Sequence, residues 1–180
     1  MKSALRPFNL ILLGAVLVAS GCLIPDDPIA PKRPKSTTSK KPSGKEAAIV
    51  RIYLETQDVE PGRTEAVSVY RDDPVIVNFD QRPVLTEAHI NEAQIVQTEA
   101  GPAIQIVLNT QGAWLLDSLS MSNRGKRIGI AAKWKEGRWL GAPRLTRRIS
   151  DGIIVFVPDA TPEEIDWIVK GVNNIARKNR

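Results

Sequence analysis

The sequence predicts an α+β domain: a mainly antiparallel sheet with helices packed on one face. Three observations predict it. Residues 49–55, 75–79 and 103–108 alternate apolar and polar side chains with the period of a half-buried strand. Turn signals separate such runs at short intervals, as at Glu60-Pro61-Gly62 and Ala100-Gly101-Pro102. Two longer stretches, 111–123 and the segment from Thr161 onward, carry helical spacing instead. Strands joined by short turns pair antiparallel, and the helices then cover one side of the sheet.

The chain begins with an export signal over residues 1–21. Lys2 and Arg6 make a basic start, Leu10 to Val18 an apolar middle, and Ala19-Ser20-Gly21 a small-residue cut site. The apolar middle is shorter than the ~20 residues a spanning helix needs. Cys22, the only cysteine, follows at once. A lone thiol in an exported chain has no internal disulfide partner. Ala19-Ser20-Gly21-Cys22 resembles the lipobox of bacterial lipoproteins, with Ala19 in place of the usual Leu. That resemblance implies a diacylglycerol on the Cys22 sulfur, added palmitate-type acyl chains, and removal of the signal. Two or more chains hold a protein stably on a bilayer. In that family an Asp after the cysteine favours the inner membrane. Leu23 stands there, which implies the periplasmic face of the outer membrane. An ordinary signal peptide with an incidental cysteine is the competing reading.

Residues 22–46 read as a tether. Prolines recur at 25, 28, 31, 34 and 42 among Lys, Ser and Thr, with almost nothing apolar. Such a segment buries too little surface to offset its ordering entropy; its prolines partly extend it, and residues 25–46 reach on the order of 70 Å if mostly polyproline-like or about 25–30 Å as a loose coil. Its Lys32, Arg33, Lys35, Lys40, Lys41 and Lys45 either rest on anionic lipid or only keep it soluble.

Residues 47–180 suit one domain with a single core. Val50, Ile52 and Leu54 share one side of the first strand. Val67 and Val69 start a second, which runs to Tyr70 and breaks at Asp72-Asp73-Pro74. Val75, Val77 and Phe79 mark a third. Residues 86–90 predict a short helix capped by Thr86. Residues 95–99 and 103–108 predict a hairpin, with Ile104, Ile106 and Leu108 on one face. The helix over 111–123 places Leu115, Leu116, Leu119 and Ser122 on one side, and Gly125 ends it. Residues 126–134 predict a strand that turns at Lys135-Glu136-Gly137 into Arg138-Trp139-Leu140, and 153–157 predict another. In the last helix Thr161 is the N-cap, Pro162 fits the first position and Glu164 completes a capping box. Its apolar stripe is Ile165, Ile168, Val169, Val172, Ile175 and Ala176.

The order of short motifs is specific where each alone is not. Leu85-Thr86, Glu92-Ala93-Gln94-Ile95-Val96, Gly101-Pro102-Ala103-Ile104, Gly112-Ala113, Arg124-Gly125-Lys126-Arg127-Ile128, Ala142-Pro143, Ile149-Ser150-Asp151-Gly152 and Thr161-Pro162-Glu163-Glu164 follow in turn. This order resembles the head subdomain of the first periplasmic domain of SecD and SecDF, the protein-export accessory proteins, over residues 75–175. The resemblance implies a SecDF-head-like fold and a binding role toward exported polypeptides rather than a reaction. SecD and SecDF carry six or more membrane-crossing helices that couple protons to movement. This sequence predicts none after its signal, so proton-driven pulling is not expected of it alone. The base half of the family's domain is missing, unless residues 49–70 are its remnant.

No catalytic constellation emerges. His89 is the only histidine, near a helix start, and no nucleophile elbow accompanies Ser118, Ser120 or Ser122. No metal ligand set and no cofactor motif is present, so the expected covalent group is the lipid on Cys22. The net charge of +5 owes much to the signal and tether, which with export argues against nucleic acid. The candidate partner-binding residues are Trp139, Arg144, Arg147 and Arg148, grouped with Arg124, Lys126 and Arg127 around one hairpin, together with Trp167 and Lys170 on the last helix. The basic group is either a patch for lipid headgroups, acidic polymer or acidic client segments, or a solvated face. Trp167 either meets a partner or lies under a neighbouring loop. The function expected is non-catalytic binding of exported polypeptide at the envelope. The alternative is a structural lipoprotein that docks one folded envelope protein.

Overall fold

The computed structural model describes residues 47–179. The expected signal over 1–21, Cys22 and the tether over 22–46 lie outside the described residues. Within them the fold is α+β and every strand pairing is antiparallel. The strands are β1 (Ile49–Leu54), β2 (Thr64–Val69), β3 (Val75–Asp80), β4 (Ile90–Thr98), β5 (Gly101–Leu108), β6 (Ile128–Lys133), β7 (Gly137–Gly141) and β8 (Ile153–Phe156), and the helices are α1 (Thr110–Ser122) and α2 (Pro162–Lys178). The one sheet expected from the sequence is divided into three, ordered β1-β6-β7, β2-β3 and β4-β5-β8.

Single backbone bridges tie these small sheets together. Ile52 of β1 donates to Leu85 O at 2.9 Å and accepts from Val84 N–H at 2.8 Å, just before the chain turns toward β4. Beyond β1, Glu55 bridges Phe79 of β3. β1 therefore has both edges engaged, and its two faces meet different clusters. Val50 and Ile52 point into the main core with Ile104, Ile106, Ile130 and Leu140. Tyr53 points the other way, against a second cluster of Val67, Val69, Val77, Phe79 and Ala142.

Helix α2 lies across β4 and touches β1 and β5. Its capping box forms as the sequence predicts: Glu164 N–H donates to Thr161 Oγ1 at 3.3 Å, and Thr161 N–H to Glu164 Oε2 at 2.8 Å. Ile165, Ile168, Val169, Val172 and Ala176 are buried, and Gly171 lets the helix approach β1. A Cβ there would stand 2.6 Å from Ala48 N.

Two local expectations change. The segment from Thr86 is a single 3-10 turn, Glu87–His89, with Thr86 at the N-cap as expected, and His89 completes the cap: Thr86 N–H donates to its Nδ1 at 3.1 Å. Helix α1 buries Gly112, Leu116 and Ser120, with Leu119 at the margin, and leaves Leu115 40% exposed. The cause is close approach by small residues. A Cβ on Gly112 would meet His89 at 2.9 Å, and Ser120 Oγ accepts Ile149 N–H at 2.9 Å, which pins the helix to the segment over 144–149.

Candidate functional site

The structure disperses the residues that the sequence groups together. Trp139 stacks on Phe79 with ring centroids 4.9 Å apart and meets Tyr53 at 5.0 Å. It fills the space between β1, β3 and β7, and Gly129 makes room for it, since a Cβ there would lie 2.7 Å from its ring. Arg144 and Arg147 border a different depression, beside β8. Arg148 holds Asp117 of α1 through two hydrogen bonds, one of 2.7 Å. Arg144 donates to Gly125 O at 3.0 Å. On α2, Lys135 from the β6–β7 turn sits 4.4 Å over the Trp167 ring, a cation–π contact, and Lys170 pairs with Asp166.

Depressions of about 370, 370 and 440 Å³ adjoin Trp139; a larger and a smaller one are not lined by it. The larger, about 720 Å³, lies between the Tyr70–Asp73 turn and the segment over 157–161. Arg71 crosses it to Asp159, bonding through both its N–H and its Nε at 3.0 Å. Tyr70, in the left-handed region at φ 71°, accepts Ala142 N–H on its hydroxyl at 2.9 Å. These bonds fix the entry to α2 and leave an ion pair, not a free acid and base.

The second is a groove of about 240 Å³ along the outer edge of β8. Leu108 N–H bonds Gly152 O at 2.9 Å, and the register continues as Ile106↔Ile154 and Ile104↔Phe156. Alternation in an antiparallel pair then turns the backbone groups of Ile153 and Val155 away from β5. Asp151 Oδ1 takes the Ile153 N–H at 3.1 Å, while those of Val155 face the groove. Residues 143–149 form the opposite wall. Beyond the groove, Asp159 N–H donates to Leu140 O at 2.7 Å. Val155 and Val157 stay 47% and 41% exposed. The sequence signal for this edge was the run 153–157 itself, which shows a strand but not which side lacks a neighbour.

His89 works as a cap, its ring on Thr86 and its carbonyl accepting Asn109 N–H at 2.9 Å. Among the described residues no three His, Cys, Asp or Glu gather as a metal site, and no helix is long and apolar enough to cross a membrane.

No protein-family model matches the chain, and no curated protein matches its sequence. Solved structures do. A chain from work entitled "Structure and function of a membrane component SecDF that enhances protein export" aligns at 19% identity with a TM-score of 0.51, over 72% of this chain and 63% of that one. A chain of SecDF in a "Super-membrane-facing form" aligns at 19% identity with a TM-score of 0.52, over 72% of this chain and 19% of that one. The fold is thus SecDF-like, and the chain spans less than two thirds of the SecDF chains it matches.

Proposed function

We propose that this chain is a lipid-anchored protein of the bacterial envelope whose domain binds extended segments of exported polypeptide, without catalysis, along the outer edge of β8. The observation that carries the reading is the unpaired side of β8, the edge of its sheet: backbone groups of Val155 face a groove and not another strand. Adding a strand to such an edge uses main-chain hydrogen bonds, which every polypeptide offers, so it suits a binder of many unrelated unfolded chains. Exposed Val155 and Val157 give alternate apolar side chains a place to pack. The SecDF-like fold supports a role beside export, and Cys22 after Ala19-Ser20-Gly21 supports the anchor.

The test places a photoreactive amino acid at Val155 in the full chain, in cells. Adducts to many exported polypeptides, lost when excess unfolded polypeptide competes, are expected. A single folded protein captured in equal amount would overturn client binding in favour of a docking lipoprotein. The anchor is tested apart from this: labelled palmitate must enter the native chain and not the Cys22→Ser chain.

A further inference from the structure

Helix α1 shows solvent two large apolar side chains that nothing among the described residues covers. Trp114 is 82% exposed and Met121 61%. Seven residues apart, they fall two turns from each other on one line of the helix, opposite the buried Gly112, Leu116 and Ser120. Ser118, Gln111 and Ser122, all exposed, separate this line from Leu115, which lies about 100° round the helix. The only charged residue of the helix is Asp117, and Arg148 neutralises it through both carboxylate oxygens.

Around the C-terminal end of the helix stand guanidinium groups, two of which, Arg144 and Arg147, also border the groove at β8. Arg124 follows the helix and donates to Thr146 O at 3.3 Å. Arg144 donates to Gly125 O at 3.0 Å, and Arg147 and Arg148 extend the same segment, all four being exposed. The acids beside them are Asp117, already paired, and Asp151, turned to the Ile153 N–H. The rim is therefore net positive. None of the clefts described above is lined by α1, and the face is convex.

We propose that this face of α1 docks on an anionic phospholipid surface, with Trp114, Met121 and Leu115 entering the headgroup layer and Arg124, Arg144 and Arg147 meeting phosphate. A convex face with an indole, a flexible thioether and an isobutyl group fits a fluid surface that shapes itself around them. Indole rings settle at headgroup depth, and guanidinium groups pair with phosphate in a fork geometry. A folded protein partner would need a matching hollow in which to bury the same residues. The arrangement shares Arg144 and Arg147 with the border of the groove at β8 and does not depend on a lipid at Cys22.

The experiment puts a photoreactive amino acid at 114 or 121 in the full chain, with Ile76 on β3, 76% exposed, as the control position. The purified chains are mixed with vesicles of phosphatidylcholine alone or with one part in three phosphatidylglycerol, illuminated, and weighed by mass spectrometry. Phospholipid adducts at 114 and 121, at least about fivefold above position 76 and dependent on phosphatidylglycerol, are expected. Arg124→Glu with Arg147→Glu should cut them about as much, while the matching lysine pair retains them. Equal yields in the two vesicle types, equal yields at 76, or adducts only to polypeptide, a second copy included, would overturn the proposal. An N-terminal anchor would act alike in both vesicles and at all three positions, so its presence or absence does not alter the comparison.

Discussion

The side-chain amide of Asn173 on α2 pairs with the backbone of Ala93 on β4 as a strand residue would: it accepts Ala93 N–H and donates to Ala93 O, both at 2.8 Å. Ala93 sits opposite Ile106 in a pair whose backbone groups point outward from β5. One helix residue thus satisfies two groups of an edge strand and blunts that edge against pairing with another chain. Asn173→Leu leaves both groups unpartnered and is expected to cost about 1–3 kcal/mol in urea unfolding. Asn173→Asp, equal in shape but without the donor, should also destabilise at neutral pH. Unchanged midpoints in both variants would contradict this role.

The tryptophans divide by location. Trp139→Ala empties the space between Tyr53 and Phe79 and is expected to cost about 3–5 kcal/mol. Trp114→Ala removes an exposed ring and should shift stability by no more than about 0.5 kcal/mol. Paired denaturation curves of the two variants check the contrast.

Glu164 gives stability a dependence on acid. Burial pushes its carboxyl up, but the Arg138 hydrogen bond, the Thr161 N–H and the Arg138 charge outweigh that and hold it below the usual glutamate range. A pKa lowered by folding contributes stability that is full above the unfolded value of about 4.3 and fades as pH falls through the folded one. Stability of the native chain should therefore fall on acidification below roughly pH 4–5, and less steeply in Glu164→Gln. Parallel slopes in urea titrations at a series of pH values would argue against it.

Gly129→Ala tests the close approach in the second core. The added carbon would lie 2.6 Å from the Phe79 ring and 2.7 Å from Trp139. Overpacking of this kind costs about 1–3 kcal/mol, and a combined Gly129→Ala, Phe79→Leu chain should recover part of the loss in thermal unfolding.

Much of this architecture was legible because its signals are local. The alternation of Val50 and Ile52, or of Ile104, Ile106 and Leu108, fixes which face is buried whatever the neighbours. The Thr161–Glu164 box likewise needs only its own turn. The start of β4 was hidden because a register irregularity between Ile90 and Glu92 interrupts the alternation there. The orientation of α1 was hidden because Gly112 and Ser120, not Leu115, face the core, and only the positions of His89 and Ile149 show why. Trp139 and the arginines are close in sequence but serve different surfaces, and spacing along a chain does not reveal a stack against Phe79 from another sheet. Trp114 carried no signal of exposure, since a tryptophan in a helix is buried more often than not.

The β2–β3 hairpin keeps a cluster of its own, joined to the rest by Tyr53, Trp139, Ala142, the bridge from Phe79 to Glu55, the Tyr70–Ala142 hydrogen bond and the Arg71–Asp159 ion pair. Its amides should consequently exchange with deuterium through a cheaper partial opening, while those of β5 and β6 wait for the whole domain to come apart. Two thresholds of unfolding are expected rather than one, the lower leaving the β8 edge and the α1 face intact.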